Sequence, residues 1–362
     1  MKKLLLLAFI AIATLACSEK KPYTINGSVE EENLNGQTVW LKKRVDNKLE
    51  SIDSTVVADK QFKFAGKVDS SEFYYIVLPQ DRYPVIVEAN AVIDINIGKS
   101  DVVISGTELN DLISQHLKQL SAVEEKLNNV IKSLRATGES DAELNAALGA
   151  EYDNWYNEYM NLNIEFVKKN INNKAGECFL PRATTQMEIE EMEELLALAD
   201  AETLKKDEFK KLSERVANAK TVAVGQPFVD LEMPNPQGEN VKLSDYAGKG
   251  KYVLVDFWAS WCGPCVAEMP NLVEVYEKYK NKNFEIVGVS FDKEHEKWLN
   301  GIKELNLTWI QMSDVKFWNS EGARLYNVRS IPHTVLIDPQ GIIIEKDLRG
   351  NVLKNKLEEL LK

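Results

Sequence analysis

The sequence has little of what metal and nucleic-acid chemistry draw on. Its 362 residues include three histidines and four cysteines, and the formal net charge is −12. That acidity argues against nucleic acid as a partner and against adhesion to anionic lipid through basic patches. His116, His295 and His333 form no ligand pair with one another or with Cys178. Zinc wants four ligands, usually two pairs, so no metal is expected, and nothing calls for a cofactor. No internal repeat is visible. The apolar run Leu4–Leu15 is too short to cross a bilayer comfortably.

That run does have a purpose. Lys2 and Lys3 precede it, small residues follow it, and Ser18 opens a polar stretch, which together make an export signal over residues 1–17. Leu15-Ala16-Cys17 resembles a lipoprotein processing box, in which Cys17 becomes the lipidated N-terminus. Lipidation implies a protein in the cell envelope, facing the periplasm and held firmly by its acyl chains, at roughly 0.8 kcal/mol per buried CH₂. Cleavage after Ala13 or Ala16 would instead release a soluble protein. Four cysteines in an exported chain could mean two disulfides. Here Cys17 is accounted for by processing, Cys262 and Cys265 belong together, and Cys178 reads as a small buried apolar residue.

The rest of the chain falls into three zones: 23–106, 107–220 and 223–362. In the first, eight short runs rich in β-branched and aromatic residues are separated by turns such as Asn35-Gly36, which suggests a sandwich or a small barrel-like sheet. No cluster of histidine, cysteine or paired carboxylates marks it. Tyr23-Thr24-Ile25-Asn26-Gly27 and Ile52-Asp53-Ser54-Thr55 resemble the small β domain of unknown function found ahead of thioredoxins in exported Bacteroidetes proteins. In the second zone, apolar residues from Leu109 to Leu134 recur at three and four, the stripe of an amphipathic helix. A second helix carries Tyr152, Trp155, Tyr156 and Tyr159, read as packing residues, and two more are expected near Ile189–Leu198 and Glu202–Ala219. In the third zone, apolar strands alternate with helices, implying a central sheet covered by helices.

One motif carries chemistry. The strand Val253–Ala259 runs into Ser260-Trp261-Cys262-Gly263-Pro264-Cys265, a CxxC at a strand–helix junction. By itself a CxxC is ambiguous between a redox pair, half a zinc site and chance. In favour of redox, a helix N-terminus favours an anion, so a thiolate is populated at Cys262, and the thiolate is the attacking species. Pro264 suits a first helical turn, where its missing N–H costs nothing.

Val255–Cys265 closely resembles the active-site strand and loop of thioredoxin. Ser330-Ile331-Pro332-His333-Thr334 is similar to the family's cis-proline loop. Gly225-Gln226-Pro227-Phe228, Leu243–Lys249 and Glu268-Met269-Pro270 resemble the TlpA/ResA branch of exported thioredoxins, so the likeness extends from about residue 223 to the end. It implies an α/β thioredoxin-like C-terminal domain, preceded by a β-sandwich-like domain and a helical segment.

It also implies roles. Cys262 would attack a substrate disulfide and Cys265 would resolve the mixed disulfide, the two forming the redox disulfide. Ile331-Pro332 would be a cis peptide facing them, with the Ile331 backbone pairing with the bound chain and Trp261 on the substrate surface. Asp256 would be the buried carboxylate aiding proton transfer at Cys265, and Glu268 the branch's acidic residue, raising a cysteine pKa. His333 departs from the commoner threonine. The implied function is a membrane-anchored disulfide reductase acting on protein or peptide disulfides, with a membrane electron donor. A disulfide oxidase or isomerase of the same fold is the alternative, as is a lipid-anchored binding scaffold with an accessory redox domain.

Overall fold

The computed structural model describes residues 20–45, 48–99, 101–136, 141–185 and 187–362, with the side chains of 141–146 excepted. The expected export signal, Cys17 included, lies outside the described residues. The chain divides into two compact units, one ending at Glu208 and the other beginning at Phe209. Most of the helical segment at 107–220 lies in the first unit with the β sheets, and its last residues lie in the second.

In the first unit, β1 (Lys21–Val29), β4 (Gln61–Val68), β7 (Val92–Ile97) and β8 (Val102–Ser105) form one sheet in the order β4-β1-β7-β8. A second sheet has the order β3-β2-β5-β6, from β2 (Thr38–Val45), β3 (Lys48–Val56), β5 (Glu72–Val77) and β6 (Arg82–Val87). Each strand of the first sheet alternates, burying residues such as Tyr23, Ile25, Phe62, Phe64, Ile93 and Ile95 on one face. On the edge strand β6 three successive residues, Val85, Ile86 and Val87, are buried. Helix α1 (Glu108–Ala136) explains this, since its buried Asn110 accepts from Ile86 N at 2.9 Å and donates to Ile86 O at 2.7 Å. An edge that would template further pairing is thereby closed.

Helices α2 (Asp141–Asn170), α3 (Lys174–Ala183) and α4 (Ile189–Ala197) complete this unit. The aromatic stripe of α2 is only partly covered, and Tyr152 is exposed. Helix α3 is absent from the sequence-based expectation. Asn173 caps it by accepting from Ala175 N and Gly176 N, and Phe179, Leu180 and Ala183 are buried. Cys178 lies on α3 as a free thiol, half-buried rather than fully buried as expected, and desolvation pushes its pKa well up.

The second unit starts with α5 (Asp207–Thr221), which begins just before the boundary. A small hairpin follows, β9 (Glu232–Pro234) with β10 (Asn240–Lys242). Its main sheet has the order β13-β12-β11-β14-β15. These strands are β11 (Tyr252–Trp258), β12 (Phe284–Ser290), β13 (Ile310–Met312), β14 (His333–Ile337) and β15 (Ile343–Lys346). Helices α6 (Gly263–Tyr279), α7 (His295–Glu304), α8 (Glu321–Leu325) and α9 (Gly350–Leu360) connect or follow them. The central strand β11 is parallel to β12 and antiparallel to β14, and all its residues after Tyr252 are buried. That is why it reads as a continuous apolar run rather than an alternating one. Each such side chain contributes about 1.5–3 kcal/mol on burial, so the only charged residue in the run, Asp256, stands out. Among the described residues, no helix is long and apolar enough to cross a membrane.

Candidate active site

The C-terminal end of β11 delivers the CxxC turn. Ser260 leads into it and is clamped by Asp292, which accepts from Ser260 N at 3.1 Å and from Ser260 Oγ at 2.6 Å. Asp292 is fully buried and also accepts from Ser290 Oγ at 2.8 Å. These charge-assisted bonds fix the turn from behind. Cys262 is then the N-cap of α6, its Sγ accepting from Cys265 N at 3.2 Å. Pro264 occupies the first turn of the helix, where no N–H is needed.

Cys262 and Cys265 are joined as a disulfide, with their Cα atoms 5.2 Å apart. Cys262 keeps 5% of its surface exposed and Cys265 none, so the first cysteine is the more accessible of the pair. An anion on Cys262 Sγ would meet the amide groups and positive end of α6. The Ile331–Pro332 bond is cis, and the Ile331 carbonyl oxygen stands 3.6 Å from Cys262 Sγ. Pro332 is buried, and its carbonyl accepts from Arg349 Nη2. His333 Nδ1 is 2.7 Å from Asp347 Oδ1, so the residue after the proline is tied to the residue that follows β15. That contact holds the Asp347 carboxyl below its ordinary range.

Asp256 is 1% exposed, and its Oδ2 has no hydrogen-bond partner among the described residues. Burial pushes its pKa up to about 7, the negative charge of Glu268 adds to the rise, and Arg349 opposes it. A carboxyl poised there takes up and releases a proton near neutral pH. Glu268 Oε1 accepts from Asn271 Nδ2 at 2.7 Å and from Gly350 N at 2.8 Å. Trp261 keeps 47% of its surface exposed and donates from Nε1 to Phe291 O at 3.3 Å. Trp258 is buried and bonded to Gln311.

Cys262, Cys265, Trp261 and Ile331 thus meet in one place. Asp256 and Glu268 are coupled electrostatically in the same domain. The sequence reading did not single out Asp292, Arg349 or Gly350. Asp292 had one signal, its position just past the C-terminal end of a parallel strand, where open α/β sheets gather functional groups. Among the described residues, no cluster of histidine, cysteine or carboxylates could hold a metal ion.

A family model described as the AhpC/TSA family matches residues 224–346, and the domain of unknown function DUF4369 matches residues 23–113. Thiol-disulfide oxidoreductase ResA of Bacillus thuringiensis subsp. konkukian is 33% identical over 139 residues, covering 38% of this chain and 77% of that protein. The chain belongs to the ResA-type thiol-disulfide oxidoreductases. ResA of Oceanobacillus iheyensis is 37% identical over 146 residues, covering 39% of this chain and 73% of its own. The crystal structure of the thioredoxin domain of a Bacteroides vulgatus thiol-disulfide oxidoreductase is 37% identical. It covers 39% of this chain and 99% of that one, with a TM-score of 0.37. The ResA-type domain is thioredoxin-like, and the AhpC/TSA match spans Asp256, the CxxC, Glu268 and the cis-proline, ending before Arg349.

Proposed function

We propose that this chain is an extracytoplasmic disulfide reductase, anchored to the membrane through lipid on Cys17. Its substrates are disulfides in proteins or peptides, and a membrane electron donor returns it to the dithiol form. One observation carries the reading: the Cys262–Cys265 disulfide caps α6 with Ile331 O 3.6 Å from Cys262 Sγ.

In the dithiol form, the Cys262 thiolate attacks one sulfur of the substrate disulfide, and the other leaves as a thiolate. The Cys265 thiol then loses its proton to Asp256 and attacks Cys262 Sγ. The intramolecular disulfide closes, the second substrate thiolate departs, and two electrons have passed to the substrate. The Ile331 backbone and Trp261 hold the substrate chain across the sulfur. Glu268 raises the proton affinity of Asp256 through its charge.

The reduction potential of the pair tests this directly, by Trp fluorescence in thiol buffers with thiol counting. A value near about −270 mV is expected for a reductase, whereas one near about −120 mV would make the protein an oxidant. Absence of any redox-linked change would overturn both. Anchoring is a separate matter: Cys17→Ala should release the protein from the membrane fraction, and retention there would remove the lipid anchor from the proposal.

A further inference from the structure

The loop from Ser313 to Ser320, between β13 and α8, places two bulky residues where the backbone resists them. Val315 has a φ of +55° and Phe317 a φ of +57°. In this left-handed region a β-branched or aromatic side chain crowds the following carbonyl, and glycine is the residue that avoids the cost. The loop is pinned from below. Ser313 Oγ donates to Ser290 O at 2.9 Å and accepts from Val315 N at 3.1 Å. Asp314 accepts from Lys316 N at 3.2 Å and from Glu321 N at 2.9 Å.

The phenyl ring gained at this cost lies next to the CxxC turn. Its centroid is 5.1 Å from that of Trp261 and 6.0 Å from that of Trp318, and the two tryptophans are 6.3 Å apart. Trp261 precedes Cys262 directly. It stays 47% exposed and Trp318 38%, so the cluster is an open apolar surface beside the reactive sulfur rather than a piece of core. Strained loops of this kind gather at functional sites, where the strained residue positions a side chain that function needs. Above the ring, Lys293 Nζ sits 4.0 Å from the Phe317 centroid. Lys293 follows Asp292, the clamp on Ser260, so the cation, the rings and the CxxC turn are held by one framework.

We propose that Trp261, Phe317 and Trp318 form a recognition shelf for a substrate polypeptide with an aromatic residue and a carboxylate beside its reducible cysteine. This rests on the reductase reading above and names its substrate class. The shelf continues the candidate active site without a break. An aromatic side chain packs on the exposed ring faces by offset or edge contact, and Lys293 places a positive charge over the shelf's central ring, which selects an acidic neighbour.

The test compares two synthetic peptides with the same intramolecular disulfide, one flanked by Phe-Glu and one by Gly-Gly, reduced by the full chain in its dithiol form. The wild type is expected to favour Phe-Glu in kcat/KM by roughly tenfold, mostly through KM. Phe317→Gly suits the positive φ and removes only the ring, so it should abolish most of that preference while the thermal midpoint does not fall. Lys293→Glu should shift preference from a Phe-Glu peptide to a Phe-Lys one. A purely structural role for Phe317 would slow both peptides alike and leave their ratio intact, which would overturn the shelf. Equal wild-type rates on both peptides would also overturn it and leave the reductase reading standing. Reduction of neither peptide would overturn that reading and the shelf with it.

Discussion

Glu268 Oε1 accepts a hydrogen bond from the backbone N–H of Gly350 at 2.8 Å, joining the second turn of α6 to the first residue of α9. The same carboxylate raises the pKa of Asp256, second only to burial. Position and charge can be separated. Glu268→Gln keeps an oxygen that can accept from Gly350 but loses the charge, so the pKa of Asp256 should fall below about 7. The limb of the pH–rate profile that reports proton transfer at Cys265 should shift to lower pH, with the fold undisturbed. An unmoved limb in Glu268→Gln would break the link between the two carboxyls.

Asp256 also carries a stability signature. Its folded pKa is about 7 and its ordinary value 3.8, so between these the folded state holds more protons than the unfolded. Stability therefore falls as pH rises from about 4 to 7, and the penalty is complete by pH 8. Asp256→Asn should remove that slope and stabilise the oxidised protein at pH 8, by on the order of 4 kcal/mol at most. Urea unfolding at pH 5 and pH 8 checks it. A wild type whose stability rises over this range, with no gain from Asp256→Asn, would mean that the carboxyl is ionised at little cost.

The unequal exposure of the two cysteines gives an order of events. Cys262 is 5% exposed and Cys265 fully buried. In Cys265→Ser the first thiolate can still attack but nothing resolves the product, so a mixed disulfide should accumulate and be released by dithiothreitol. Cys262→Ser should accumulate none. Intact mass under non-reducing conditions distinguishes them, and trapping by the second variant alone would reverse the assigned order.

Much of this was legible in the sequence where local pattern and packing agree. Most strands of the first unit alternate or cluster as their burial requires, the exposed β3 excepted, and β11 is apolar because both its faces are covered. Helix α3 was not legible, because Pro181 reads as a break and Asn170, Asn172 and Asn173 read as a loop. Tertiary burial of Phe179 and Leu180, with the Asn173 cap, outweighs those signals. Strand β13 is three residues long, too short for periodicity to register. At the site, Cys262, Cys265 and Pro332 announce themselves by motif. Asp292 and Arg349 act across the fold, one on Ser260 and the other on the Pro332 carbonyl, and such contacts leave no local pattern.

A second titration belongs to the first unit, with the opposite sign. His116 on α1 is 1% exposed, stacked on Phe166 at 4.1 Å and edge-on to Phe179 at 4.9 Å. Asn163 Nδ2 donates to Tyr159 O at 2.7 Å, which leaves its Oδ1 facing His116 Nε2 at 3.2 Å. Nε2 is thus the donor, and Nδ1 stays bare without a partner among the described residues. Burial lowers the imidazole pKa, the Asn163 bond resists this, and Arg182 adds to the lowering. The unfolded chain, with its histidine near about 6.5, takes up the proton first. Stability is therefore intact above about pH 6.5 and lost as pH falls below it. Protection factors across α1, α2 and α3, each exchange rate being referred to the intrinsic rate at its own pH, should be smaller at pH 5 than at pH 7.5, and His116→Gln, which does not titrate, should reduce that difference. Equal protection factors for the wild-type helices at both pH values would mean that the imidazole is protonated in place, and that burial does not hold it neutral.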